Sequence, residues 1–231
     1  MRNLFLSLVG SFSLLLAAGC TSETDSPDST PPFPEGQGQE AHEGEVYPAG
    51  PYGINKGSII QNFKFVGFPR PNEQVEQAYN VTLADFYNPT GDAVWEEGSP
   101  YGAGRPKPKA LMIVVSAVWC PPCNAEAKDT LPPEFEKYNP QGVEFLLNLA
   151  DGPTVGTPAE FSHLIKWVDK YETKFPAVID PSYKLSALFE ANAFPANMII
   201  DTETMEIVEV IAGAPEPGSS FFDTLEDVIA D

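Results

Sequence analysis

Basic residues are scarce in this chain of 231 residues: 13 Lys and Arg stand against 33 Asp and Glu, a formal net charge of −20. They are neither clustered nor interleaved with aromatics, so no surface concentrates the positive charge that nucleic-acid phosphates or anionic lipid headgroups demand. A nucleic-acid partner is not expected on that ground. The acidity keeps a solvated surface soluble. Histidine is nearly absent, with only His42 and His163. Cysteine is limited to Cys20, Cys120 and Cys123. A zinc site would need a second ligand pair beside a CxxC, and neither residue type supplies it. No bound cofactor or metal is expected. Internal repeats are missing, and the length suits one core domain with appendages.

The N-terminus reads as an export signal. Arg2 precedes an apolar stretch from Leu4 to Ala18, too short and too poorly flanked for an ordinary transmembrane helix. It ends in Leu16-Ala17-Ala18-Gly19-Cys20, which resembles the bacterial lipobox. That resemblance implies a lipoprotein signal peptide over 1–19 and lipidation at Cys20. The protein would then be anchored to a bacterial membrane, in the cell envelope or periplasm. The alternative is ordinary cleavage that leaves Cys20 as a free thiol. Residues 20–55, rich in Pro, Gly, Ser, Thr and Glu, cannot offset their ordering entropy by burial and are read as a disordered tether. If Cys20 carries lipid, only Cys120 and Cys123 remain for thiol chemistry. The loop they close is too short to restrain the unfolded chain much, which favours a reactive pair over a structural one.

The folded domain is expected over 56–231. Ile59, Ile60, Phe63, Phe65 and Val66 suggest strands or a hairpin, and Val81 to Tyr87 follows. The Gly/Pro-rich stretch 88–109 predicts an irregular, exposed loop insertion. Ala110 to Ser116 is a continuous apolar run suited to a buried central strand. A helix should start near Cys120, with proline tolerated in its first turn, and be interrupted or kinked at Pro132-Pro133. Val143 to Leu149 predicts another buried strand. Thr157-Pro158-Ala159-Glu160 reads as a capping box for a helix carrying Phe161, Leu164, Ile165 and Val168. A short strand at Ala177 to Ile179 and a short helix through Leu185, Leu188 and Phe189 come next. A hairpin from Ala196–Ile200 and Met205–Ile211, then a helix from Ser220, close the chain. This order demands a parallel crossover followed by an antiparallel hairpin.

Disulfide exchange needs one thiolate to attack and a second thiol to resolve the mixed disulfide. Two residues between the cysteines bring both sulfurs to a helix N-terminus, where the dipole and free N–H groups favour negative charge. Cys120, the more N-terminal and exposed, is the expected nucleophile, and Cys123 the resolving thiol. Pro121 and Pro122 stiffen the loop and remove two backbone donors, which makes Cys120 less acidic than a donor-rich loop would.

The segment Val118-Trp119-Cys120-Pro121-Pro122-Cys123-Asn124-Ala125-Glu126 resembles the thioredoxin superfamily, specifically its membrane-tethered TlpA/ResA-like redoxins. Phe175-Pro176-Ala177-Val178-Ile179-Asp180 and Phe194-Pro195 followed by Ala196–Asp201 resemble that family's later segments. The resemblance spans 58–231. It implies an α/β, thioredoxin-like three-layer fold, a mixed central sheet with helices on both faces. It implies that Pro195 is the cis-proline facing the disulfide and that Trp119 flanks the active site; plain packing is the alternative for Trp119. Two residues depart from the family. Phe194 is bulky where a small or β-branched residue is usual. Val114 occupies a position, six before Cys120, where many thioredoxins bury an acid that shuttles a proton. Glu126, one helical turn after Cys123, could substitute for it, or could be a solvated helix glutamate.

The expected function is therefore a thiol–disulfide oxidoreductase acting on exported protein thiols and disulfides as a reductant, recharged by an upstream electron donor. A monomer is expected. A peroxiredoxin-type peroxidase is the first alternative; it would need threonine three residues before the nucleophile, where this chain has Ala117. A redox-inactive binding module, docking through the acidic surface or the 88–109 segment, is the second.

Overall fold

The computed structural model describes residues 47–230 except 54, 74, 76 and 186–192. The expected signal peptide, Cys20, His42, most of the expected tether, and the helix expected at Leu188 and Phe189 lie outside the described residues.

The frame is a seven-stranded mixed sheet in the order β2-β1-β5-β4-β3-β6-β7. Its strands are β1 (Lys64–Phe68), β2 (Tyr79–Thr82), β3 (Ala110–Ala117), β4 (Val143–Asp151), β5 (Ala177–Ile179), β6 (Ala196–Asp201) and β7 (Glu206–Ala212). β3 and β5 run parallel to β4, and β6 runs antiparallel to β3. All eight residues of β3 are buried. A strand flanked on both edges and covered on both faces requires an apolar sequence without alternation, which Ala-Leu-Met-Ile-Val-Val-Ser-Ala supplies.

Side chains alternate across the sheet and feed two cores. On one face Met112, Val114, Phe145 and Leu147 meet the helices α3 (Leu131–Tyr138), α4 (Phe161–Lys170) and α5 (Ser220–Ala230). Both cysteine sulfurs belong to this core. On the other face Leu111, Ile113 and Val115 lie under α1 (Leu83–Phe86), Leu185 and aromatic residues of the 88–109 segment. The mixed sheet between these two covered faces is the expected α/β thioredoxin-like arrangement.

Two local expectations are corrected. The 88–109 segment is irregular, but it is not simply exposed: Trp95 and Tyr101 are buried, stacked with centroids 4.3 Å apart and set edge-on to Phe86. Aromatic rings bring a large apolar area to a face with few helices over it, and that burial outweighs the segment's turn-rich composition. Asn88 closes its neck, its amide donating to the Pro108 carbonyl at 3.0 Å. The second correction concerns α4, which starts at Phe161, three residues later than the Thr157-Pro158 signature implies. Pro158 is instead bridged to Asp151, and Glu160 caps the helix, with His163 Nδ1 accepting its backbone N–H at 3.0 Å. The chain must first cross the end of β4 before it can turn into the helix.

The paired prolines also act differently from a simple kink. A π-helical turn over Glu126–Thr130 joins α2 (Pro121–Ala125) to α3. Pro132 and Pro133 have no N–H, and each ring would collide with the carbonyl four residues back in a regular helix. The wider turn removes that conflict, and the Leu131 N–H bonds to the Glu126 carbonyl, five residues earlier. The bend is spent one turn before the prolines, next to the cysteines. At the start of the described residues, Tyr47 donates to the Ile60 carbonyl at 2.9 Å.

Candidate active site

The site is assembled where β3 ends. Val118 N–H bonds to the Asp151 carbonyl at 2.9 Å, and the chain then turns so that Cys120 caps α2 in an extended conformation. Cys120 and Cys123 form a disulfide with Cα atoms 5.3 Å apart. Cys120 Sγ accepts the Cys123 N–H at 3.2 Å. The two intervening residues are prolines, so the first turn has no donor to offer from positions 121 and 122.

Cys120 is less accessible than an exposed nucleophile: the residue is 1% exposed and Cys123 is 0% exposed. Trp119 and Phe194 meet edge-on, with centroids 5.9 Å apart, and both pack against the core that contains the sulfurs. Phe194, the bulky departure noted in the sequence, is half-buried beside Trp119. The Phe194–Pro195 peptide bond is cis.

Trp119 is oriented by more than packing. Its Nε1–H donates to Asp151 Oδ2 at 2.8 Å. The same oxygen accepts the Gly156 N–H at 2.8 Å, and Oδ1 accepts the Tyr183 hydroxyl at 2.5 Å. Asp151 thus joins the indole to two loops. Behind the cysteines, the Asn124 amide donates to the Cys120 and Val118 carbonyls at 2.7 and 3.1 Å, and its oxygen accepts from the Tyr171 hydroxyl and from Lys170 Nζ. This bond set ties the start of α2 to the end of α4.

Glu126 is a buried carboxyl of the site. It is 1% exposed, so the solvated alternative is ruled out. It follows Cys123 by one turn on the inward side of the helix. Asn197 Nδ2 donates to Glu126 Oε1 at 2.8 Å. Burial pushes its pKa up from 4.5 to about 8, and the Asn197 bond pulls in the opposite direction. Val114 sits in the middle of this core and contributes no polar atom.

The structure brings Trp119, Cys120, Cys123, Glu126 and Pro195 to one end of the sheet, whereas Cys20 lies outside the described residues. Asn124, Asp151, Tyr183 and Asn197 were not singled out from the sequence. A signal did exist for two of them: Asn197 interrupts an apolar strand, and Asp151 ends another.

Residues 74–210 match the sequence model of the AhpC/TSA family, more than half of the chain, and the chain belongs to this redoxin family. The thiol-disulfide oxidoreductase ResA of Bacillus cereus is 27% identical over 107 residues, which is 46% of this chain and 57% of the relative. The protein of the same name in Halalkalibacterium halodurans is 28% identical over 142 residues, 60% of this chain and 68% of the relative. The first match thus spans little more than half of the relative's length. A crystal structure of a Chlorobium tepidum protein assigned as a DsbE thiol:disulfide interchange protein superposes with a TM-score of 0.54 at 16% identity, over 77% of this chain and 99% of that one. That likeness speaks for the fold. Together these similarities bear out the TlpA/ResA-like kinship within the thioredoxin superfamily.

The Glu126 pKa makes a stability prediction. Its folded value lies above its unfolded value, so between about 4.5 and about 8 the native state keeps a proton that the unfolded chain releases. Stability falls as pH rises through that window, by at most about 1.4 kcal/mol for each pH unit crossed. Urea unfolding of oxidised wild type and Glu126→Gln should give similar stabilities at the acid end and a more stable variant at the alkaline end. A difference that stays constant across the window contradicts the assignment.

Proposed function

We propose that this protein is a thiol–disulfide oxidoreductase that works outside the cytoplasm, held to a membrane by lipid on Cys20, and that it reduces disulfides of exported proteins. The observation that carries this reading is the Cys120–Cys123 disulfide at a helix start, at the same end of the sheet as Pro195 and followed one turn later by a buried carboxyl. The family membership and the named activity of the ResA relatives support it.

In the dithiol form, Cys120 Sγ as thiolate attacks one sulfur of a client disulfide, and the other client sulfur leaves as a thiolate. The Cys123 thiol then gives its proton to Glu126 and attacks Cys120 Sγ. That step closes the Cys120–Cys123 disulfide and releases the second client sulfur as a thiolate. Two electrons pass from the protein dithiol to the client, and the released client thiolates take up protons. A Glu126 pKa of about 8 sits close to the ordinary thiol range near 8.5, which suits proton transfer in either direction. Trp119 and Phe194 present apolar faces to the client beside the sulfurs. An upstream dithiol restores the reduced form by the reverse sequence.

No helix among the described residues is long and apolar enough to cross a membrane. The lipobox-like run Leu16-Ala17-Ala18-Gly19-Cys20 supports attachment through Cys20. Metabolic labelling with a fatty acid should mark the wild-type chain and fail to mark Cys20→Ser. Equal labelling, or membrane retention of an unlabelled chain, contradicts the anchor.

Insulin-disulfide reduction tests the chemistry. Cys120→Ser should fall to background, and Cys123→Ala should accumulate a mixed disulfide through Cys120. Activity retained in Cys120→Ser overturns the proposal. Cys120-dependent peroxide consumption with no insulin reduction would assign a thiol peroxidase instead.

A further inference from the structure

We propose that Asn197 is a positioning residue for this exchange: from the strand opposite Val114, it holds the Glu126 carboxyl in place below Cys123. The inference rests on Glu126 being the proton carrier for Cys123.

Asn197 is 0% exposed in a strand whose other inner residues are Ala196, Met198, Ile199 and Ile200. A carboxamide in such a place is costly unless its bonds are made. Its register is informative. Asn197 pairs directly across from Val114 on β3, the position that has no acid, and across from Ile211 on β7. Its two amide hydrogens are both used: Nδ2 donates to Glu126 Oε1 at 2.8 Å and to the Gly213 carbonyl at 3.2 Å. Gly213 has a φ of 96°, which favours glycine, and its N–H bonds to the Pro195 carbonyl at 2.8 Å. One amide therefore links the carboxyl to the turn that backs the cis-proline.

The remaining oxygens, Glu126 Oε2 and Asn197 Oδ1, are buried without a partner. A proton on Glu126 turns Oε2 from an unsatisfied acceptor into a donor. When that proton leaves, the Asn197 amide is the side-chain donor that the carboxylate retains among the described residues. Asn197 thereby sets how readily Glu126 gives up and regains its proton. Two other carboxyls on the surrounding elements are buried: Asp151 at the end of β4 accepts from Trp119, Gly156 and Tyr183, and Glu134 on α3 has one oxygen without a partner. Lys128 and Asp129, on the π turn, pair with each other at the surface. Glu209 on β7 pairs with Lys56, while Glu206 and, after β7, Glu216 are exposed. Asp201 lies at the far end of β6, Asp223 and Asp227 on α5 are exposed, and the helix start carries only Cys120 and Cys123.

Asn197→Val and Asn197→Thr, two residues of similar shape suited to a buried strand, separate the donor from the packing. In the full-length chain, the Glu126 carboxyl is followed by carbon NMR and insulin reduction by its pH–rate profile. Asn197→Val should raise the carboxyl midpoint by about one pH unit and shift the pH–rate profile with it, and Asn197→Thr should recover part of that shift. In a Glu126→Gln background, Asn197→Val should shift the profile no further. Should the Val variant not fold, Asn197→Ala is read the same way. An unmoved midpoint, or an equal rate effect with and without Glu126, overturns the inference while leaving the exchange reaction standing. A Glu126→Gln profile identical to wild type overturns both the proton-carrier reading and this inference.

Discussion

β3 is hydrogen-bonded along both edges and buried on both faces, and the reactive groups are placed by that constraint. Its pairing with β4 fixes where Ala117 leaves the sheet, and hence where Cys120 caps α2. Its pairing with β6 sets Val115 opposite Ala196 and Val114 opposite Asn197, which brings Pro195 and its neighbours to the same end. A slip of one residue would turn every β3 side chain to the wrong core, so burial enforces the register. Disulfide, cis-proline and carboxyl are thus positioned by strand pairing before any of them interacts with another.

The chemistry at that end is governed by desolvation. Pro121 and Pro122 withhold N–H groups from the first turn, which leaves Cys120 Sγ with the Cys123 N–H. Trp119 and Phe194 pack against the core that contains the buried sulfurs, and Asp151 keeps the indole in place. In such surroundings a carboxyl holds its proton well into the neutral range, unlike one in solvent. The π turn completes the arrangement. It accommodates Pro132-Pro133 while leaving Glu126 on the inward side, one turn from Cys123.

Much of this was legible in the sequence because it depends on local pattern. An unbroken apolar run announces β3, the CxxC at its end announces the helix start, and the two runs around Asp201–Thr204 announce the β6–β7 hairpin. Long-range pairing was not legible. Whether Glu126 faced solvent or core depended on the π turn and on Asn197, a residue 71 positions away. The stacking of Trp95 on Tyr101 was hidden inside a segment whose glycines and prolines suggest exposure. The helix signature at Thr157 was real as a pattern but was overridden by the bridge from Pro158 to Asp151. Phe194 was visible as a bulky departure, and the structure gives it a partner in Trp119.

The central claim is that the Cys120–Cys123 disulfide is a working redox couple rather than a brace. Equilibrating the full-length chain against buffers of graded potential, trapping free thiols by alkylation and counting them by mass tests this most directly. The account predicts that both thiols appear together in one reversible two-electron transition, near the thioredoxin end of the range at about −270 mV. A pair that stays closed until well below about −300 mV, as structural disulfides do, would contradict it.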